Sequence, residues 1–239
     1  MTKTILYTLV FISTFSNTFG QTSFYERLAD STLTLTKQVV RYDPTYFKIT
    51  YPNGDVPSDR GVCTDVVIRA YRKLGIDLQK EVHEDIKANF SKYPKIWKLS
   101  KPDKNIDHRR VPNLMTFFTR NGMVKPITTI VKDYFPGDIV CWNLGGAVTH
   151  IGIVSKKKSV DGQRYLIVHN IGNGQVLEDC IFNYKIIGHY RYEKWNKYES
   201  NIQRSNAWSA TEQRFDPARS HGVLTAKQHE CQSVKNPYS

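Results

Sequence analysis

The spacing of apolar residues along the chain changes character once, and the change divides it. Over residues 22–41, Phe24, Leu28, Leu33, Leu35 and Val39 supply the apolar positions of an amphipathic helix. Over 61–74, Cys63, Val67, Ala70 and Leu74 fall on one helical face, with Gly75 as the stop. Residues 78–90 predict a third helix, and 111–120 a fourth, closed by Asn121-Gly122. Residues 46–51 alternate like a short strand ahead of the turn Pro52-Asn53-Gly54-Asp55. Residues 92–110 are polar, contain proline and have no clear period, which predicts a long loop. Past Pro136-Gly137 the apolar runs become short: 138–142, 149–155, 165–170 and 186–192, separated by Gly-rich or Lys-rich turns. They predict an antiparallel meander. Helices first and strands afterwards make an α+β domain, with N-terminal helices packed on a C-terminal antiparallel sheet.

The two ends read differently. Lys3 precedes an apolar stretch over 5–15, followed by Ser16-Asn17-Thr18-Phe19-Gly20, with small residues suited to cleavage. This is the plan of a secretory signal peptide over 1–20. The stretch is shorter than the roughly 20 residues a membrane span needs. No cysteine follows it to carry a lipid anchor. From 196 to 239 apolar residues are sparse, which predicts a polar, mobile tail. The expected domain is 21–195, exported to the periplasm or the exterior, without an integral membrane segment.

Composition agrees with one domain: 239 residues, 27.6 kDa, 40% hydrophobic. The net charge of +12 points to anionic partners. Residues 21–195 hold 27 of the 34 basic and 18 of the 22 acidic residues, so the excess belongs to the domain. Export, together with basic residues that lack aromatic interleaving, argues against nucleic acid and for an acidic wall polymer. Cys63, Cys141, Cys180 and Cys231 contain no CxxC pair, which removes the zinc ribbon and the thioredoxin motif. No HxH or HExxH spacing supports a metal, and no P-loop, GxGxxG or GxSxG is present. No cofactor is expected.

The candidate chemistry centres on Gly61-Val62-Cys63-Thr64-Asp65. Cys63 stands in the first turn of a helix, where the dipole favours thiolate and backbone N–H groups can hold an oxyanion. A small cysteine on an apolar face can equally be core. His150 opens the run His150-Ile151-Gly152-Ile153-Val154, and His169 closes Tyr165-Leu166-Ile167-Val168-His169. Neighbouring antiparallel strands can set the two side by side, His150 as base for the thiol and His169 as its orienting partner. Strand alternation lets only one of His169 and Asn170 face His150; the alternation favours His169, with Asn170 as the alternative.

Helix-borne Cys, then Pro-Gly-Asp-Ile-Val, then His-Ile-Gly-Ile-Val, then a strand ending in His resembles the NlpC-type murein peptidases of the papain-like superfamily. The segments Asp55-Val56-Pro57, Arg60 to Asp65, Asn105 to Leu114, Val168 to Gly172 and Gly188 to Arg191 resemble a YijF-like bacterial family of secreted proteins of unknown function. That resemblance spans roughly residues 25 to 193. It implies a papain-like NlpC-type fold, Cys63 as nucleophile, His150 as general base and His169 as the third polar residue. Cys before His is the unpermuted order, whereas lipid-directed relatives often carry His first.

Asp107-His108-Arg109-Arg110 can grip substrate carboxylates, or form a solvated, salt-bridged loop. Asp65 can orient a substrate amine or serve the helix N-terminus. Tyr51 occupies the place of the upstream tyrosine that lines NlpC-type sites. Cys141 reads as core. The expected function is a secreted cysteine hydrolase that cuts an amide bond in peptidoglycan stem peptide. The rivals are a non-catalytic wall-binding module, and an amidase or acyltransferase acting on another exported substrate, as an effector toxin or lipid-modifying enzyme.

Overall fold

Two helices, Phe24–Leu35 and Leu78–Ala88, begin at side chains that cap their free N–H groups. The computed structural model describes residues 22–194. The expected signal peptide, the tail and Cys231 lie outside the described residues. Helix α1, Phe24–Leu35, starts at Ser23, whose hydroxyl accepts from Glu26 N–H while the Glu26 carboxylate accepts from Ser23 N–H. It stops short of residue 41. The Leu35 carbonyl is taken by the Gln175 side chain at 3.1 Å, and Val39 stands 96% exposed. The chain then extends into β1, Arg41–Tyr42, which pairs in parallel with β2, Arg60–Gly61. No strand forms over residues 46–51. That segment is instead held by side chains of the 92–110 region, with Ile49 N–H donating to Asn105 Oδ1 at 3.1 Å.

Helices α2, Cys63–Arg72, and α3, Leu78–Ala88, follow, the latter capped by Asp77. Helix α4, Val111–Asn121, opens with proline in its first turn, where the missing N–H costs nothing. The segment expected as a featureless loop contains a 3-10 turn at Asp107–Arg109 that packs against α2, α3 and α4.

The main sheet comprises β3 (Met123–Val124), β4 (Ile139–Gly145), β5 (Val148–Lys158), β6 (Tyr165–His169), β7 (Val176–Glu178) and β8 (Lys185–Arg191). The order is β3-β8-β4-β5-β6-β7 and every pair is antiparallel. Strands β4 to β7 form a meander, but β8 leaves it and returns to the other edge of β4. One sheet face packs on the helices: Ile139, Cys141, Ile151, Ile153 and Val168 against Leu28, Val66, Val67, Tyr71 and Phe118. The other face carries a smaller cluster of Tyr134, Val140, Trp142, Val154, Ile167, Cys180 and Ile181. Each fully buried large aliphatic side chain stabilises the fold by about 1.5–3 kcal/mol, so most of the stability lies on the helix side.

Candidate functional site

Residue 62 has no side chain able to cap α2, and the helix is started from inside. The Asp65 carboxylate accepts from Val62 N–H at 2.7 Å. Its two oxygens also receive the Arg109 guanidinium, Nε and Nη2 both at 3.0 Å, with side chains 3% and 2% exposed. Arg109 further donates to the carbonyls of Thr45 and Asp43. Asp65 and Arg109, expected on the substrate side, are therefore a buried pair that fixes the start of α2. Burial is tolerable because the guanidinium fork matches the carboxylate and the remaining donors find carbonyls.

Cys63 is held beside this pair, 7% exposed. Its sulfur is reached by the N–H of Ile151 on β5 and by the first-turn N–H groups of Thr64 and Cys63 itself. Burial pushes the thiol up to about 12; the Asp65 charge adds to this, and the three N–H groups oppose it without winning. The helix-end argument for a standing thiolate thus fails on desolvation. Cys141 lies in the same core, buried and raised by burial and by Cys63. Cys63, Cys141 and Cys180 are free thiols.

The histidines belong to the other face of the sheet. His150 pairs across β4 with Trp142, with ring centroids 5.8 Å apart. His150 Nε2 and His169 Nδ1 are 2.8 Å apart. Gly152 makes this approach possible: a Cβ there would sit 2.7 Å from Ile167 Cγ2 and 3.1 Å from His169 Cβ. Asn170 points the opposite way and donates to the Gly61 carbonyl at 3.1 Å, tying the end of β6 to the residue two before Cys63. Hence His169 faces His150, and Asn170 holds the segment that carries Cys63.

A residue the sequence did not single out completes the row. Glu178 Oε2 lies 3.0 Å from His169 Nε2. A carboxylate only accepts, so the His169 proton sits on Nε2 and Nδ1 is the acceptor. His150 must then donate through Nε2, which leaves its lone pair on Nδ1. Burial, aided by His169, lowers His150 to about 3, so its imidazole is neutral near pH 7. Burial also lowers His169, against the opposing Glu178.

Cys63 and the histidines are linked through β5, beyond the end of its pairing with β6. The β5–β6 pairing ends at Ile153↔Val168, and the Ile151 N–H beyond it is directed to the Cys63 sulfur. Ile151 follows His150 directly. Among the described residues no hydrogen bond joins Cys63 to His150. Near pH 7 the Cys63 thiol and the His150 imidazole are both neutral.

The remaining expected residues lie elsewhere. The Tyr51 ring packs on His83, with centroids 5.2 Å apart, under Lys104. The tyrosine electrostatically coupled to Cys63 is Tyr42, 40% exposed, which pairs with Gly61 across β1–β2; burial and then the Cys63 thiol raise its hydroxyl. Asp107 is buried and raised to about 6 by burial. His108 is buried and lowered to about 3 by burial and neighbouring Arg109, and its Nδ1 has no partner. Of the Asp107–Arg110 stretch only Arg110 reaches the surface, where it stacks on Trp97 at 4.2 Å. Three of these four residues are packing and ion-pair elements, not a solvent-facing grip.

The chain is similar to the uncharacterized protein YijF of Escherichia coli (strain K12), 55% identical over 151 residues, covering 63% of this chain and 73% of that protein. No solved structure matches. Residues 29–192 match the family model described as a domain of unknown function, DUF1287, and the chain belongs to that family.

Proposed function

We propose that the protein is an exported cysteine hydrolase of papain-like, NlpC-type fold that cuts an amide bond in peptidoglycan stem peptide. The observation that carries this reading is the proton order Glu178–His169–His150, which leaves the lone pair of His150 on the one nitrogen not engaged with His169. In the proposed step His150 Nδ1 takes the Cys63 proton as the sulfur attacks the carbonyl, and then returns it to the leaving amine. Water releases the thioester by the same route. First-turn N–H groups stand close enough to the sulfur to receive the developing oxyanion. The wall-peptide substrate and the periplasmic or extracellular location rest on the NlpC-type motifs, the signal-like N-terminus and the basic excess of the domain.

The raised Cys63 thiol favours one rival, a wall-binding module without turnover. A digest of purified peptidoglycan, read by mass spectrometry, separates the two and names the bond. The wild-type protein is expected to release peptide fragments and a folded Cys63→Ala variant to release none. Equal release by both would refute the nucleophile.

A further inference from the structure

Three different ligand types converge on the sheet face opposite the helices. His169 Nε2 lies 3.0 Å from Glu178 Oε2 and 3.6 Å from Cys180 Sγ, and the three atoms all fall within 4.8 Å of one another. The local fold explains the convergence. Glu178 pairs beside β6 across from Ile167, and Cys180 follows two residues later, so both turn to the face that His169 occupies. A tetrahedral zinc ion with bonds of about 2.0–2.3 Å sets its ligand atoms roughly 3.3–3.7 Å apart. One measured edge, 3.6 Å, falls within that span and the other, 3.0 Å, lies just short of it, so a small rotation of the half-exposed Glu178 would fit the set to the ion. His169 and Cys180 are buried, while Glu178 is 42% exposed, so the cluster reaches solvent on the Glu178 side.

A second observation points the same way. Metal-bound histidines are held through their other nitrogen by a hydrogen-bond partner. His169 has one: its Nδ1 is 2.8 Å from His150 Nε2, and both rings are buried.

We propose that His169, Glu178 and Cys180 form a binding site for a thiophilic divalent cation of the zinc class, with a fourth position open to water. Binding displaces one proton, from the Cys180 thiol to solvent. The lone pair of His169 Nε2 goes to the metal, so the His169 proton moves to Nδ1 and donates to His150 Nε2. The His150 proton then sits on Nδ1, where the base needs its lone pair. Metal occupancy and a competent base therefore exclude each other, and the cation acts as a reversible inhibitor. This consequence rests on the hydrolase reading; the binding site does not.

The test titrates the metal-free full chain with Co²⁺ as a spectroscopic probe. One equivalent is expected to bind with a near-ultraviolet thiolate-to-cobalt band that Zn²⁺ abolishes. Cys180→Ser should lose the band, Glu178→Gln should weaken binding at least tenfold, and Cys63→Ala should keep the band intact. No band in the wild type, or a band that survives in Cys180→Ser, overturns the site. Alkylation of Cys63, followed by peptide mass, reads the consequence. Zn²⁺ should slow it in the wild type and leave the rate unchanged in Cys180→Ser. Equal slowing in both would place the ion at Cys63 and overturn the inhibitory role. A chain that cleaves no wall peptide but shows the cobalt band refutes the hydrolase and leaves the metal site standing.

Discussion

The two faces of the sheet do different work. The helix face is the larger core, and the polar groups within it are locked: Asp65 with Arg109, and Cys63 among backbone N–H groups. The opposite face is a small cluster beside a row of polar groups within hydrogen-bonding reach of one another: His150, His169, Glu178 and Cys180. In the proposed mechanism the nucleophile is mounted on the helix side and its base on the opposite side. Strand β5 joins them: Ile151, whose N–H reaches the Cys63 sulfur, follows His150 directly. A thiol buried this well is protected from solvent and held still, at the cost of its acidity, so the proposed mechanism needs the base to come from across the sheet.

The largest effect that tests this division is on activity. Cys63→Ala should lower peptide release by about 10⁴-fold or more, to the background of binding and oxyanion donors, with the thermal midpoint nearly unchanged. The next is on stability. Arg109→Met leaves Asp65 buried and unpaired and should cost about 3–5 kcal/mol, measured by urea unfolding. A loss below about 1 kcal/mol would mean that this pair does not lock the helix face.

Glu178→Gln probes the opposite face. The neutral amide no longer dictates the His169 tautomer, and kcat should fall about 10- to 100-fold with little change in KM. Alkylation of Cys63 should slow in parallel, a readout that a merely structural glutamate would leave alone.

The smallest effect is the pH dependence of stability. His108 and His150 have native values of about 3, well below the unfolded value of roughly 6.5. They stay neutral in the native state while the unfolded chain takes up two protons as pH falls. Asp107 opposes this, because its native value of about 6 lies above the unfolded one, so between its two values the native state binds the extra proton. From these three groups alone, the unfolded chain carries about one more proton between roughly pH 4 and 6. Stability should therefore decline by about 1.4 kcal/mol per unit as pH falls through that window. His108→Gln should flatten the slope, and denaturant melts at two pH values will show it.

Much of the fold can be read from the chain because local period and capping agree. The spans of α2, α3 and α4 follow from apolar spacing and stop signals within one or two residues. The limits of that reading are also physical. Helix α1 ends early, with its last carbonyl taken by Gln38 N–H and by the side chain of Gln175, far along the chain. Residues 46–51 carry strand-like alternation but meet side chains of the 92–110 segment, and no neighbouring strand. The six-strand order required β8 to return past three others, which no local pattern encodes.

The site divides in the same way. Cys63 at a helix start, and the alternation that turns His169 toward His150, are properties of short stretches, legible because helix and strand geometry fixes side-chain direction. Glu178 sits on a three-residue strand after a glycine-rich loop, too short for any pattern to announce. Tyr42 replaces Tyr51 beside the thiol because of a two-residue parallel pairing across 17 intervening residues. The Asp65–Arg109 pair and the thiol's raised pKa depend on how deeply distant segments bury one another. Desolvation is a property of the whole packed fold, and it is why the chain alone determined which groups are reactive and the tertiary structure decided which of them are charged, paired or free.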